Sequence, residues 1–318
     1  MSDLSVSVVT PSLNQGEFIE ETIRSVLDQE YPRLEYMVVD GGSTDQTLDI
    51  LHHYENRLTW ISEPDDGPPD AINKGLARTR GDIFAYMNSD DTYCPGAIEQ
   101  AVRYFADHPD VDMVFGDANV IDRDGKIYHQ WRAPGWDLPG FLCWRFPILQ
   151  PSVFLRRKLM DRVGPFRLVP GWGWDYDYWL MVGGSGAEVG HIPGALSNAR
   201  YHAGAGGVAQ SVKLADHLIF IWERFFNQEC PPALAHLRGP AIGGAYVYRG
   251  FCHYEKGEMA QARRDCLHAL HLTTTSHISK RAVILMAKTV LGAKLSQTLR
   301  EVKRSRARVR FAQASLTR

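Results

Sequence analysis

A chain of 318 residues has room for one large domain, or for one domain with a smaller helical appendage. Its 35 lysines and arginines stand against 37 aspartates and glutamates, and with 23% charged and 44% hydrophobic residues wholesale disorder is excluded. The balance is uneven: residues 281–318 hold ten basic side chains and one acidic one, so the rest of the chain carries the excess of acid.

In chain order, Val6 to Thr10 reads as a short strand that breaks at Pro11. A helix is predicted from Glu17 to Asp28, with Ile19, Ile23, Val26 and Leu27 at helical spacing. Glu35 to Val39 is a second strand, and Asp40–Asp45 a sharp turn in which Ser43 or Thr44 could cap a helix beginning near Gln46. Leu58 to Ile61 is a third strand, Ala71 to Thr79 a helix and Asp82 to Met87 a fourth strand. A helix near Gly96–Phe105 follows. Val111 to Val120 and Lys126 to Trp131 are strands joined by the Asp122–Gly125 turn. Residues 132–150, rich in Trp, Pro, Gly and Phe, are read as a folded-over loop walling a pocket. Ser152 to Arg156 and Ala187 to Ile192 are strands, with helical turns at Arg157 to Val163 and from Asp175 to Val182. From Ser211 the chain reads as helical: Val212–Phe226, Ile242–Glu255, Met259–Leu270 and about 279–296. Ala245, Tyr248, Gly257, Ala262 and Ala269 hint at a single helical hairpin.

The first half has the cadence of a mostly parallel sheet covered by helices, whose ligands bind outside the carboxyl ends of the strands. Three strands run directly into Pro11–Asn14, Asp40–Asp45 and Asn88–Asp91, so these segments are expected on one rim. Asp90 and Asp91 are costly to crowd unless a cation or hydrogen-bond donors neutralise them. A hard divalent ion would do so, but a cap on the helix near Pro95 uses the same residues. Asp40 either accepts a hydrogen bond from a ligand or simply forms an Asx turn. Lys74, one turn into its helix, either reaches a phosphate or belongs to a solvated surface. Asp175 and Asp177, two apart, cannot face the same way, so at most one enters the aromatic pocket as a base; otherwise it caps a core helix. His202 is a metal ligand or a satisfied histidine. The first turn has a single glycine, Gly16, so a dinucleotide fingerprint fails, and no phosphate-binding Walker loop is present. Cysteines 94, 143, 230, 252 and 266 show no metal-ligand spacing and are expected as reduced thiols. No apolar run reaches the roughly 18 residues of a spanning helix, and no signal-peptide core opens the chain, so a cytoplasmic protein is expected.

Six ordered blocks carry a resemblance. Val8-Val9-Thr10-Pro11-Ser12-Leu13-Asn14-Gln15 opens it, and Asp40-Gly41-Gly42-Ser43-Thr44-Asp45-Gln46-Thr47 follows. Ser62-Glu63-Pro64-Asp65 with Asp70-Ala71-Ile72-Asn73-Lys74-Gly75 comes next, and then Gly81-Asp82-Ile83 leading to Asn88-Ser89-Asp90-Asp91. Gln150 to Arg157 and Arg162 to Phe166 complete it. The chain resembles a family 2 glycosyltransferase of the GT-A type, an α/β fold with a mostly parallel, Rossmann-like central sheet flanked by helices, here with a C-terminal helical extension. The resemblance implies a catalytic domain over 1–210, with the nucleotide-sugar site in 1–95 and the acceptor side in 110–210, and the extension over 211–318. It implies transfer of a sugar, with inversion, from a nucleotide-diphosphate sugar to a hydroxyl of a glycan or lipid-linked saccharide. Pro11 and Asp40 would line the nucleobase with Asn14 nearby, and Lys74 would approach the nucleotide. Asp90 would touch the ribose or donor sugar, Asp91 would ligate Mg²⁺ or Mn²⁺, Asp175 would be the general base, and His202 would contact the metal or phosphate. The sequence departs from the pattern at Trp174-Asp175, where Glu-Asp or Met-Asp is usual, and at Gly67-Pro68-Pro69. A sugar-1-phosphate nucleotidyltransferase would share such a sheet, but its Gly-rich first loop is missing between Thr10 and Glu17; a non-catalytic binding module would not need the carboxylates. The basic C-terminal tail is either a solvated helix or a peripheral attachment to an anionic membrane. Nucleic acid is not an expected partner, because the preceding domain is acidic.

Overall fold

The computed structural model describes residues 3–145, 148–169, 171–202, 204–205, 210–274 and 276–291. The C-terminal end of the predicted last helix and the basic tail beyond Leu291 lie outside the described residues. The chain divides into two units, Met1–Gln210 with Arg224–Pro232, and Ser211–Glu223 with the residues from Ala233 onward.

In the first unit, apolar and β-branched runs form parallel strands β1 (Val6–Ser12), β2 (Leu34–Asp40), β3 (Thr59–Ser62) and β4 (Ile83–Tyr86), of which β1 and β4 are buried on both faces and β3 is the more exposed edge. Amphipathic helices α1 (Ile19–Leu27), α2 (Thr47–His53) and α3 (Pro68–Arg78) connect them. Val6, Val8, Val38 and Ile83 are fully buried in one core with Ile19 and Ile23 of α1. The remaining strands are β5 (Thr92–Tyr93), β6 (Met113–Ile121), β7 (Ile127–Trp131), β8 (Val153–Arg156) and β9 (Val189–Arg200). They complete a mixed sheet in the order β3-β2-β1-β4-β8-β6-β9-β5, with β7 paired to β6. Past β4 the sheet is mixed: β8 is antiparallel to both β4 and β6, β9 is parallel to β6, and β5 is antiparallel to β9. Helices α4 (Ala97–Asp107), α5 (Leu138–Leu142), α6 (Arg157–Val163) and α7 (Trp174–Gly184) finish this unit apart from the end of the next helix.

Three local differences from the sequence reading have simple causes. Helix α3 starts at Pro68, three residues before Ala71, because prolines in a first turn forfeit no intrahelical hydrogen bond. Asp45, not Ser43 or Thr44, holds the start of α2: its Oδ1 accepts from Thr47 N at 2.9 Å. Strand β9 does not stop at Ile192 but continues to Arg200, through a register shift at Pro193-Gly194 pinned by Gly194 N donating to Asp117 Oδ2. That continuation delivers Arg200 and His202 to the functional rim.

The second unit is helical: the first turns of α8 (Ser211–Gln228), then α9 (Arg238–Glu255), α10 (Met259–Leu272) and α11 (Ser276–Leu291). Gly257, at φ 83°, makes the left-handed turn of the α9–α10 hairpin. Ala262 and Ala269 allow a close approach to Val247 and Tyr254, and Ile278, Ala282 and Leu285 of α11 close this small core. The hairpin seen in the sequence is real, and a third helix covers it.

Candidate active site

Because β1 to β4 are parallel, their carboxyl ends share one edge, with Ser12 opposite Asp40 and Asp40 opposite Ser62. Asp40 is fully buried there, and its charge is satisfied by its own loop. Oδ2 accepts from Gly42 N (3.0 Å), Ser43 N (2.8 Å) and Ser62 Oγ (2.7 Å), and Oδ1 from Ser43 Oγ at 2.5 Å. Gly41 lies close under the acidic loop: an added Cβ would meet Asp65 Oδ2 at 2.6 Å and push that carboxylate aside. Asn14, in the left-handed region at φ 53°, accepts from Thr44 N through its side chain while its own N–H donates to Ser43 Oγ. Pro11, Asn14 and Asp40 are thus brought together as two interlocked loops. Lys74 is held by Pro64 O at 2.8 Å and by Asp70 and Glu63 at 3.2 and 3.3 Å, inside the acidic loop.

The Asn88–Asp91 turn follows β4 on the same edge. Helix α4 begins at Ala97 behind Gly96 with no side-chain cap, so neither Asp90 nor Asp91 is spent on capping it. The two carboxylates differ sharply. Asp91 is buried; its Oδ1 accepts from Arg200 N at 2.8 Å and its Oδ2 from Asn88 Nδ2 at 3.0 Å. Burial, and then the adjacent Asp90 charge, raise the Asp91 pKa to about 8. Asp90 is the one that meets His202, with Oδ2 and Nε2 3.1 Å apart and both side chains partly open. The His202 ring rests against Phe18 at 4.8 Å.

Arg200 ties this corner together. Its guanidinium is almost wholly buried, donates to Asp90 O, Asp122 O and Arg123 O, pairs with Glu21 at 2.6 Å, and sits 5.2 Å over the Phe18 ring. Gln150 completes the turn from the other side: it accepts from Asn88 Nδ2 and donates to Tyr86 O at 2.7 Å. Gln150 opened one of the six blocks of the sequence without a role of its own, and the signal for Arg200 was its position two residues before His202.

Asp175 lies in the first turn of α7, whose N-cap is Gly173 at φ 95°. It is half-buried, and desolvation of the carboxyl raises its pKa to about 6. Asp177 takes the opposite course, as spacing two apart requires: it is buried in an ion-pair cluster with Arg224 and Arg167, which Glu229 shares. Tyr86 links Asp175 to the turn. Its buried hydroxyl has no hydrogen-bond partner among the described residues, its ring packs on Trp174 (5.2 Å) and Phe166 (5.3 Å), and after desolvation the charges of Asp175 and Asp91 hold its pKa well above the ordinary value. Both carboxylates therefore lie within electrostatic range of one hydroxyl. Stacked Phe141 and Tyr176 (5.8 Å) and Trp136 on Phe141 (5.5 Å) add an aromatic wall from the 132–150 segment. Among the described residues no group of three or more His, Cys, Asp or Glu is placed to enclose a metal ion; Asp90 and His202 offer one carboxylate and one imidazole.

Comparison with known proteins agrees with this architecture. TuaG of Bacillus subtilis (strain 168), named as a glycosyltransferase of teichuronic acid biosynthesis, is 39% identical over 104 residues, 31% of this chain and 41% of TuaG. A PGL/p-HBAD biosynthesis glycosyltransferase of Mycobacterium bovis (strain BCG / Pasteur 1173P2) is 30% identical over 167 residues, 51% of this chain and 63% of that protein. The matches therefore span less than two thirds of either relative. The crystal structure of S. aureus TarS 1–349 in complex with UDP-GlcNAc superposes with a TM-score of 0.63 at 17% identity, covering 89% of each chain. The mannosyltransferase PcManGT from Pyrobaculum calidifontis, in complex with GDP-Man and Mn²⁺, gives 0.58 at 18% identity, covering 91% of this chain and 90% of that one. The fold is thus the GT-A-like fold of these enzymes. The family model for glycosyl transferase family 2 matches residues 7–169, half of the sequence, and the chain belongs to that family.

Proposed function

We propose that this protein is an inverting glycosyltransferase that moves a sugar from a nucleotide-diphosphate sugar to a hydroxyl of a glycan or lipid-linked saccharide. The observation that carries the proposal is the Asp90–His202 pair at the strand ends, with Asp175 and the adjacent Asp91 both close enough to act electrostatically on Tyr86. The Asp40–Asn14 loops form the nucleoside end of the site. Since Asp40 is saturated by its own loop, its part is to fix the Gly41-Gly42 backbone against which a base would lie, rather than to offer a free carboxylate.

The donor set at Asp90 and His202 fits Mg²⁺ or Mn²⁺: an oxygen and an imidazole nitrogen 3.1 Å apart, both partly open, beside the buried carboxyl of Asp91. When bound, such an ion would offset the charge that develops on the departing diphosphate. Asp91, with both oxygens occupied, holds the turn; this reading gives the ion to Asp90 instead of Asp91. Asp175 accepts the proton of the acceptor hydroxyl as that oxygen attacks the anomeric carbon, and a single displacement of this kind inverts the centre. The raised pKa leaves the carboxyl mostly ionised at neutral pH and more basic than an ordinary carboxylate. The aromatic wall excludes water and offers faces for sugar rings. The link of TuaG to teichuronic acid biosynthesis supports a polysaccharide acceptor.

The test is a thermal-shift screen of UDP-, GDP-, dTDP- and CMP-sugars with and without Mn²⁺, followed by transfer assays with the stabilising donor. A Mn²⁺-dependent rise in Tm that Asp90→Asn and His202→Ala remove supports the assignment. Stabilisation that survives both substitutions would sink it.

A further inference from the structure

Helix α11 has two apolar faces, and only one of them is used. Ile278, Ala282, Leu285 and Thr289 point into the core of the helical unit and are 5% exposed or less. Val283, Ile284 and Val290 are 54, 55 and 74% exposed, and Ala287 is exposed between them. At 100° per residue these four positions form one continuous stripe on the outer face. Lys280 lies within that stripe, and Arg281 and Lys288, also exposed, border it on the Ile284 side. A surface helix of a soluble protein normally turns polar residues outward, so a second apolar stripe implies a second environment.

The chain around the stripe says which one. No acidic residue occurs from Cys266 to Arg300, and beyond Leu291 the sequence adds Lys294, Arg300, Lys303, Arg304, Arg306, Arg308, Arg310 and Arg318 against Glu301 alone. The geometry points to a docking surface for an anionic lipid bilayer on the outer face of α11, and the sequence that follows supplies positive charge. Aliphatic side chains enter the acyl boundary, lysines and arginines beside them extend their stems along the apolar layer and leave their charges among phosphates, and the downstream basic residues add long-range attraction. A nucleic acid would use the charges but gains nothing from Val283, Ile284 and Val290. A second copy of the chain would bury the stripe but bring like charges face to face. No helix among the described residues is long and apolar enough to cross a membrane, so this contact lies along the surface.

The inference is tested by co-sedimentation of the full chain with phosphatidylcholine vesicles and with vesicles containing phosphatidylglycerol. Two full-length variants accompany it: Val283→Ser/Ile284→Ser/Val290→Ser, and Arg304→Gln/Arg306→Gln/Arg308→Gln/Arg310→Gln. All substituted side chains in the first are exposed, and an unchanged circular-dichroism melt verifies its fold. The wild type is expected to pellet with phosphatidylglycerol vesicles and not with phosphatidylcholine. The triple variant should bind about tenfold more weakly at any salt concentration. The arginine variant should lose the salt-sensitive part of binding. Undiminished binding by the triple variant overturns the role of α11, and equal pelleting with both lipids overturns the electrostatic part. A wild-type dimer in light scattering that the triple variant converts to monomer, with no vesicle binding, would assign the stripe to a second copy instead.

Discussion

At the residue scale, Asp175 and Asp177 show how two carboxylates two positions apart acquire opposite properties. Asp177 is neutralised by Arg224 and Arg167 and belongs to the framework, whereas Asp175 has desolvation without a compensating cation. If Asp175 is the base, kcat/KM rises about tenfold per pH unit below about 6 and levels off above it. Asp175→Asn should lower kcat by about 10² to 10⁴-fold, abolish that limb and leave donor affinity unchanged in titration calorimetry. The same shift has a stability signature. The folded pKa lies above the ordinary 3.8, so the folded state binds the extra proton between the two values. The strain of an ionised Asp175 is absent below pH 4 and is fully felt above pH 6. Asp175→Asn should therefore raise stability at pH 8 by up to about 3 kcal/mol and leave it unchanged at pH 4, a difference read from urea melts at the two pH values. An equal effect at both would mean that the carboxyl is solvated.

At the element scale, the decisive feature is the reach of β9. The Pro193-Gly194 shift lets one strand pair with β6 along its whole length and still end at the Asn88–Asp91 turn. There Arg200 binds three carbonyls and Glu21 in place of water. Arg200→Met would leave those acceptors and Glu21 unpaired. It is expected to cost about 3–5 kcal/mol, read as a lowered urea midpoint, and to weaken the donor binding proposed at Asp90 and His202, because the Asp90 backbone loses its hold on the guanidinium. Arg200→Lys should recover little of either, since one ammonium cannot serve that fork. A variant that retained wild-type stability would show that β9 holds the turn without the guanidinium.

At the scale of the molecule, the two units have separate apolar cores, one built on β1, β2, β4 and α1, the other on α9, α10 and α11. The second, closed by alanines and a few larger side chains, buries far less apolar surface. Scanning calorimetry should therefore resolve two transitions. A stabilising sugar nucleotide should raise the one belonging to the sheet unit and leave the helical one in place. A single transition that shifts as a whole would indicate that the units unfold together.

Local chemistry was enough to determine the parallel strands β1 to β4, the edge they share, the acidic turn after β4 and the four helices from Ser211 onward, because hydrophobic period and turn residues act over a few neighbours; the two-residue β5 was too short to show. The helix starts at Pro68 and Thr47 were misplaced by one to three residues because the first turn of a helix tolerates proline and an upstream aspartate serves as well as a serine. Which of Asp90 and Asp91 stays open, that Asp40 is saturated by its own loop, that Lys74 is engaged by Asp70 and Glu63, and that Arg200 anchors the corner were not legible. The states of Asp90, Asp91 and Arg200 depend on partners distant in sequence, brought together only when β9 runs past its own break and closes on the turn, whereas those of Asp40 and Lys74 depend on how their own loops fold back. Charge and spacing named the groups; burial and hydrogen bonding, which exist only in the folded chain, assigned their states.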